Sequence, residues 1–221
     1  VDLTPFINVG GENTLAIRLD NPKDSSRWYP GGGIYRNVWL TKTAPVHVRQ
    51  WGLQVTTTEV SKEQATVNVV VNLRNESDEP VDRDVVVLLY RNGAEGGEIG
   101  SDIARLSTRA IRLAANSNVV VQSKFVIAKP DLWSINDPKL YFAAAVVMQG
   151  DKELDCVGTT FGLRTIQFTA DNGFLLNGER VPIRGVCNHH DLGALGAAFN
   201  TRAAERQLEI LREMGVNAIR T

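Results

Sequence analysis

The polar residues best suited to chemistry are concentrated in residues 187–200. Two of the three histidines, His189 and His190, stand beside Asp191, and Cys187 lies just before them. Hydrogen bonds to a hydroxylated substrate, metal coordination, a nucleophile system and a solvated loop all remain open for this set. A metal needs three or four converging ligands. Adjacent residues of an extended stretch face opposite ways, so at most one histidine can join Asp191. We favour contact with a substrate over metal binding or a Cys187 thiol mechanism.

A second candidate is Arg220, which ends an otherwise apolar stretch. Arg is seldom buried without a carboxylate or another anion, so this position predicts a negatively charged partner. A solvent-facing Arg at a strand terminus is an equally open alternative.

The segment that must position these residues has the pattern of a βαβ unit. An apolar run at 181–186 predicts a strand, residues 201–214 have helical spacing, and 216–221 begin a second strand. Asn200 or Thr201 can cap the helix, Gly215 can end it, and Leu208 belongs to its predicted apolar stripe. A right-handed βαβ unit implies a parallel sheet, as at the opening of a βα-barrel. Strand ends then meet on one face, which would carry both the 187–200 loop and Arg220.

From about residue 46 to 161 apolar residues recur at every second position. The clearest case is the run from Ala65 to Leu73, and such alternation indicates half-buried antiparallel strands. About seven short strands in roughly 110 residues predict an immunoglobulin-like sandwich. The other strand candidates lie at 53–58, 84–90, 103–113, 119–127, 140–148 and 153–160, with turn signals that include 75–80 and 92–97.

The first 43 residues predict only two strands, at 15–19 and at 34–40 after the glycine run 31–33. We interpret them as the tail of a β-domain, because a two-stranded hairpin is marginal in water. The sequence Trp28-Tyr29-Pro30 could be a sugar-stacking platform, although packing at an interdomain seam is favoured.

Composition narrows the classes of function. The formal net charge is −1, which gives no overall field to attract nucleic acid, and the apolar runs are far shorter than the roughly 20 residues that cross a bilayer. The two cysteines support neither a disulfide framework nor a zinc site, and we expect both to be buried free thiols. Localisation stays open, with a periplasmic or secreted location favoured over a cytoplasmic one.

Several strings resemble glycoside hydrolase family 2, the family of β-galactosidases, β-glucuronidases and β-mannosidases. They are SRWYPGGGIYRNVWL at 26–40, LWS at 132–134, NDPKLY at 136–141, FGLR at 161–164, FLLNG at 174–178, RGV at 184–186 and NAIRT at 217–221. The resemblance follows the family's own order through the whole chain. It is greatest to the β-galactosidases.

The resemblance implies a mainly β chain with an immunoglobulin-like β-sandwich at 44–162. This sandwich would be flanked by the end of a jelly-roll sugar-binding domain at 1–43 and by the first βαβ of a (β/α)8 barrel at 163–221. The implied reaction is retaining hydrolysis by two carboxylates about 5 Å apart. No residue here matches either carboxylate, so we expect the chain to contain no catalytic residue and to be inert alone. The sandwich is expected to be the stable core, with both ends mobile, swapped or docked on it.

Residue by residue, the string from Gly185 to Asp191 resembles the family's Gly-Val-Asn-(Arg/Lys)-His-Glu-(His/Asp). His189 and Asp191 then match side chains that touch the sugar, and Arg220 matches an Arg beside the nucleophile. Cys187 and His190 replace the commoner Asn and Glu, which leaves the choice among galactoside, glucuronide and mannoside open.

The implied substrate of the full-length enzyme is a β-linked oligosaccharide or glycoside. No cofactor is required from this segment, and neither nucleic acid nor a membrane is an expected partner, whereas a homo-oligomer or swapped dimer is possible. A non-catalytic sandwich module that mediates domain or carbohydrate contacts is the alternative function, and a family member that has lost its carboxylates is a weaker one.

Overall fold

A computed structural model of the chain describes residues 1–24, 33–34, 37–91, 102–189, 191–196 and 198–221. The sequence Trp28-Tyr29-Pro30, the first two glycines of the 31–33 run, the turn at 92–97 and His190 lie outside the described residues. The chain divides into two compact units. One is Leu40–Arg184, and the other combines Val1–Trp39 with Gly185–Thr221.

The first unit contains two antiparallel sheets that confirm the predicted sandwich. One sheet has the strand order β1-β2-β5 and the other β4-β3-β6-β7. All seven predicted strands are present, and each is within a few residues of its expected bounds except β1, which begins earlier. The strands are β1 (Val46–Thr58), β2 (Gln64–Asn75), β3 (Val81–Arg91), β4 (Asp102–Leu113), β5 (Asn118–Ala128), β6 (Tyr141–Gln149) and β7 (Lys152–Phe161).

The core between these sheets follows from the period of two. The inward-facing residues of β2 are fully buried. They face residues of β3 and β6 that are equally buried. In the pairing of β3 with β6, Val87 lies opposite Ala145. Alternation sends one side of each strand inward, so both sheets contribute to one apolar cluster. The inward set of β2 is Ala65, Val67, Val69, Val71 and Leu73.

One inward position of β5 departs from the apolar pattern. Ser123 lies between Val121 and Phe125 on the buried face, is only 6% exposed, and its Oγ has no hydrogen-bond partner. A buried hydroxyl without a partner costs about 1 kcal/mol or more. We expect Ser123→Ala to raise the free energy of unfolding by about 1 kcal/mol, because alanine keeps the packing and removes the unpaired group. Urea unfolding followed by circular dichroism measures the change.

The matched control is Ser107→Ala on the exposed side of β4. A surface serine without a structural role is expected to change stability by less than about 0.5 kcal/mol. If Ser123→Ala proved no more stable than Ser107→Ala, the hydroxyl of Ser123 would have to be satisfied in solution.

A small three-stranded antiparallel sheet follows the sandwich within the same unit. Its strands are β8 (Ile166–Thr169), β9 (Gly173–Leu176) and β10 (Glu179–Arg180), paired in the order β10-β9-β8. An Asn-Gly turn joins β9 to β10, where Asn177 and Gly178 have φ of 53° and 80°. Two consecutive positive φ angles are typical of a type I′ turn, which suits a two-residue hairpin.

The side chain of Asn177 joins this small sheet to the sandwich. Its Oδ1 accepts a hydrogen bond from the backbone N–H of Thr165 at 3.0 Å, and its Nδ2 donates to the carbonyl of Trp133 at 2.9 Å. The backbone N–H of Trp133 also donates to Leu163, and the guanidinium of Arg164 lies 4.6 Å from the centre of the Trp133 ring. The strings at 132–134, 161–164 and 174–178 are therefore linked to one another by direct contacts.

The predicted strands of the first 43 residues are wrong for the residues that the structure describes. Residues 15–19 have no ladder partner, and neither do the described residues of 34–40. A strand exists only where a neighbour pairs with its backbone, and alternation in sequence does not supply that neighbour. The only regular element described there is a short 3₁₀ turn, Thr4–Phe6.

Candidate functional site

The second unit places two short parallel strands side by side. These are β11 (Gly185–Cys187) and β12 (Ala218–Arg220), and the ladder pairs Cys187 with Arg220. The backbone N–H of Asn188 donates to the carbonyl of Arg220 at 2.9 Å, which extends the pairing one residue further. The predicted parallel βαβ arrangement is thus confirmed, although the predicted strand at 181–186 lies mostly outside β11. Both carboxyl-terminal strand ends lie together, as expected.

Helix α1 (Thr201–Glu213) connects these strands along the sequence. At its start, Oδ1 of Asn200 accepts a hydrogen bond from the N–H of Ala203 at 2.9 Å, which confirms the predicted cap. At its end, Gly215 has φ of 81° and Val216 donates to the carbonyl of Leu211. This pattern is a Schellman motif, which turns the chain sharply out of the helix. The motif directs the chain into β12.

The half-buried side of α1 matches the predicted stripe in part and departs from it at Leu208. Ala203, Ala204, Gln207 and Leu211 are half-buried, whereas Leu208 is 53% exposed. The expected core-facing role of Leu208 is therefore wrong for this chain. The half-buried positions recur at three- and four-residue spacing, so they define one face. Gln207 on this face receives a hydrogen bond from Nδ2 of Asn188 at 3.3 Å, which ties the loop after β11 to the helix.

Residues 192–196 of the loop after β11 form a turn that a backbone hydrogen bond closes. Asp191 is half-buried and lies two residues before a 3₁₀ turn, Gly193–Leu195. The N–H of Leu192 donates to the carbonyl of Gly196 at 2.9 Å. This hydrogen bond restrains the backbone of the turn that follows Asp191. His189 is exposed one residue after the last ladder contact. His189 and Asp191 thus lie two and four residues after Cys187, the last residue of β11.

Arg220 makes a side-chain contact that the sequence pattern did not indicate. Its Nε donates to Sγ of Cys187 at 3.3 Å. Cys187 and Cys156 are both exposed, so the expectation of two buried thiols is wrong. Although Cys156 is exposed as a residue, desolvation of its thiol, together with the nearby Glu153 and Asp155, raises its pKa.

The groups at the strand ends are a cation, an imidazole and a carboxylate. Arg220 offers a permanent cation, His189 an imidazole and Asp191 a carboxylate. Asp191 is the only carboxyl group in residues 187–200, and residues 220–221 have none. No group of His, Cys, Asp and Glu side chains suited to a metal ion occurs among the described residues. This set can donate and accept hydrogen bonds with a hydroxylated molecule.

The described chain thus carries a β-sandwich followed along the sequence by a β–α–β unit with parallel strands. Two family models match the chain consecutively. The model of glycosyl hydrolases family 2 covers residues 46–164, and the model of the TIM barrel domain of that family covers residues 168–221. The chain belongs to glycosyl hydrolases family 2.

Named relatives agree with this assignment. The chain is 46% identical to β-galactosidase BoGH2A of Bacteroides ovatus, over 99% of the chain and 25% of that protein. It is 30% identical to a β-glucuronidase of Bacteroides fragilis, over 99% of the chain and 32% of that protein. The chain therefore spans between a quarter and a third of the length of these two relatives.

Solved structures show the same fold. A family 2 member from Bacteroides cellulosilyticus superposes with a TM-score of 0.89 at 34% identity, covering 99% of this chain and 29% of that one. The β-glucuronidase 2 of Bacteroides uniformis, covalently bound to cyclophellitol-6-carboxylate aziridine, gives a TM-score of 0.86 at 30% identity, covering 99% of this chain and 27% of that one.

None of the described helices is both long and apolar enough to span a membrane.

Proposed function

We propose that this chain is part of a retaining exo-β-glycosidase that acts on β-galactosides. The observation that carries the proposal is the β-galactosidase of B. ovatus, which is 46% identical along 99% of the chain. The strand-end groups support it, because a sugar presents hydroxyls that a carboxylate, an imidazole and a guanidinium can bind.

In this proposal the described residues bind and orient, and they do not cleave. Asp191 accepts hydrogen bonds from sugar hydroxyls, His189 contacts the same sugar, and Arg220 orients the nucleophilic carboxylate. Retaining hydrolysis needs an acid/base carboxyl group and a nucleophile about 5 Å apart. The strand ends described above bring only Asp191, so both groups would come from other parts of the full-length protein.

The proposal is tested with the full-length protein and three nitrophenyl substrates, the β-galactoside, β-glucuronide and β-mannoside. We expect the largest kcat/KM for the galactoside, and proton NMR should show that the first product keeps the β configuration. A first product with the α configuration would contradict the retaining mechanism. A preference for the glucuronide would reassign the sugar, and no turnover of any β-glycoside would reject the function.

The 221-residue chain is the companion sample in the same assay. We expect it to hydrolyse none of the three substrates. Calorimetric titration with a galactoside measures whether it binds sugar by itself. Binding at millimolar or tighter affinity would favour a carbohydrate-contact module over a piece of a catalytic domain.

A further inference from the structure

We propose that Cys187 is a positioning residue that holds the guanidinium group of Arg220. The two residues are register partners in the parallel β11–β12 ladder, and the Nε–Sγ distance is 3.3 Å. The contact lies at the carboxyl ends of both strands, where sites form in parallel βα folds. Its consequence for catalysis rests on the proposed function.

Arg220 contacts Cys187 through its Nε atom, so both Nη atoms remain available for other hydrogen bonds. An Arg side chain has five N–H donors, one on Nε and four on the two Nη atoms. A hydrogen bond from Nε restrains the plane of the guanidinium and leaves the outer Nη edge for a carboxylate or hydroxyls. In the described part of the chain, no Asp or Glu forms an ion pair with Arg220. Arg220 is exposed, so its outer edge is accessible to a ligand in the described structure.

A thiol is well suited to hold the guanidinium group of Arg220 through its Nε atom. A carboxylate at position 187 could bind Arg220 by both Nη atoms and would neutralise its charge. A lysine there would repel Arg220, and an alanine would offer no acceptor. A neutral sulfur is a weak acceptor that aligns the guanidinium without consuming its charge or its outer edge.

The backbone around the pair prevents a slip in register. The N–H of Asn188 donates to the carbonyl of Arg220 at 2.9 Å, and the side chain of Asn188 donates to Gln207 of α1. A shift of one residue would move Cys187 to the opposite face of β11. The thiol and the guanidinium are thus held on one face by contacts from both strands and from the helix.

The test is a kinetic double-mutant cycle in the full-length protein. Cys187→Ala is expected to lower kcat for the β-galactoside about tenfold with little change in KM, because contacting residues commonly couple by this amount. In the Arg220→Ala background the same substitution should cause no further loss. Cys187→Asn, which restores a neutral acceptor, should recover most of the activity. Equal losses in both backgrounds, or full activity of Cys187→Ala, would overturn the proposal.

A second measurement separates this proposal from the proposed function. In the 221-residue chain labelled with ¹⁵N-arginine, the Nε–H signal of Arg220, assigned by its loss in Arg220→Lys, should exchange with water about tenfold faster in Cys187→Ala. The matched control is Cys156→Ala, which removes the other exposed thiol, on β7. If no β-glycoside is hydrolysed, the proposed function fails and this exchange rate still decides the contact. Equal exchange rates in Cys187→Ala and Cys156→Ala would show that Cys187 does not hold the guanidinium group of Arg220.

Discussion

Asp191→Ala is expected to lower kcat/KM of the full-length protein for β-galactosides about 100-fold. A hydrogen bond to a charged group contributes about 1.5 to 3 kcal/mol, and each 1.4 kcal/mol corresponds to a factor of ten in rate. Asp191 is half-buried beside a locked turn, so its carboxylate needs little ordering when the substrate binds. Steady-state kinetics with the nitrophenyl galactoside measures the loss.

Two variants make this result specific to the carboxylate. Asp191→Asn keeps the size of the side chain and one acceptor oxygen, so an intermediate loss is expected. Asp171→Ala removes an exposed carboxylate from the turn between β8 and β9, and less than about a twofold change is expected for a surface substitution. Normal turnover after Asp191→Ala would refute its assignment as a sugar-binding residue.

The sandwich could be predicted from sequence because its signal is local and repeated. On β2 every second residue from Ala65 to Leu73 is fully buried, so the period of two fixes which side faces the core. The Asn177-Gly178 turn was predictable for a related reason, since two positive φ angles favour this residue pair.

The site was less predictable because it depends on register between distant residues. The contact of Cys187 with Arg220 needs β11 and β12 aligned through a helix cap and the turn at Gly215. Composition suggests a buried role for a cysteine, and no local signal points to a partner 33 positions away. The strands expected at 15–19 were wrong for the same kind of reason, because alternation alone does not provide a pairing partner.

The second large effect is expected at Asn75, where Asn75→Ala should lower the free energy of unfolding by about 4 kcal/mol. The side chain is fully buried, and Nδ2 donates to the carbonyls of Glu79 and Ala114, both at 2.9 Å. Its Oδ1 accepts from the N–H and the hydroxyl of Ser77. Alanine would leave several buried groups unpaired, at about 1 to 3 kcal/mol each. Urea unfolding of the 221-residue chain measures the loss.

The control for this prediction is Asn68→Ala on the same strand. Its amide makes one long hydrogen bond, 3.4 Å to Thr58, near the surface, so a change below about 0.5 kcal/mol is expected. A comparable loss in both variants would mean that asparagine on β2 matters for strand formation in general. The loss in free energy of unfolding could then not be assigned to the buried hydrogen bonds of Asn75.

Asn75→Asp separates hydrogen bonding from packing, because the two side chains have nearly the same shape. A carboxylate only accepts hydrogen bonds, so it would face the carbonyls of Glu79 and Ala114 without a proton to donate. A buried acid in such surroundings is favoured in its neutral form, which raises its pKa above that in the unfolded chain. The variant should therefore be most stable below about pH 4 and lose stability as pH rises through the folded-state pKa. A loss independent of pH would assign the effect to packing.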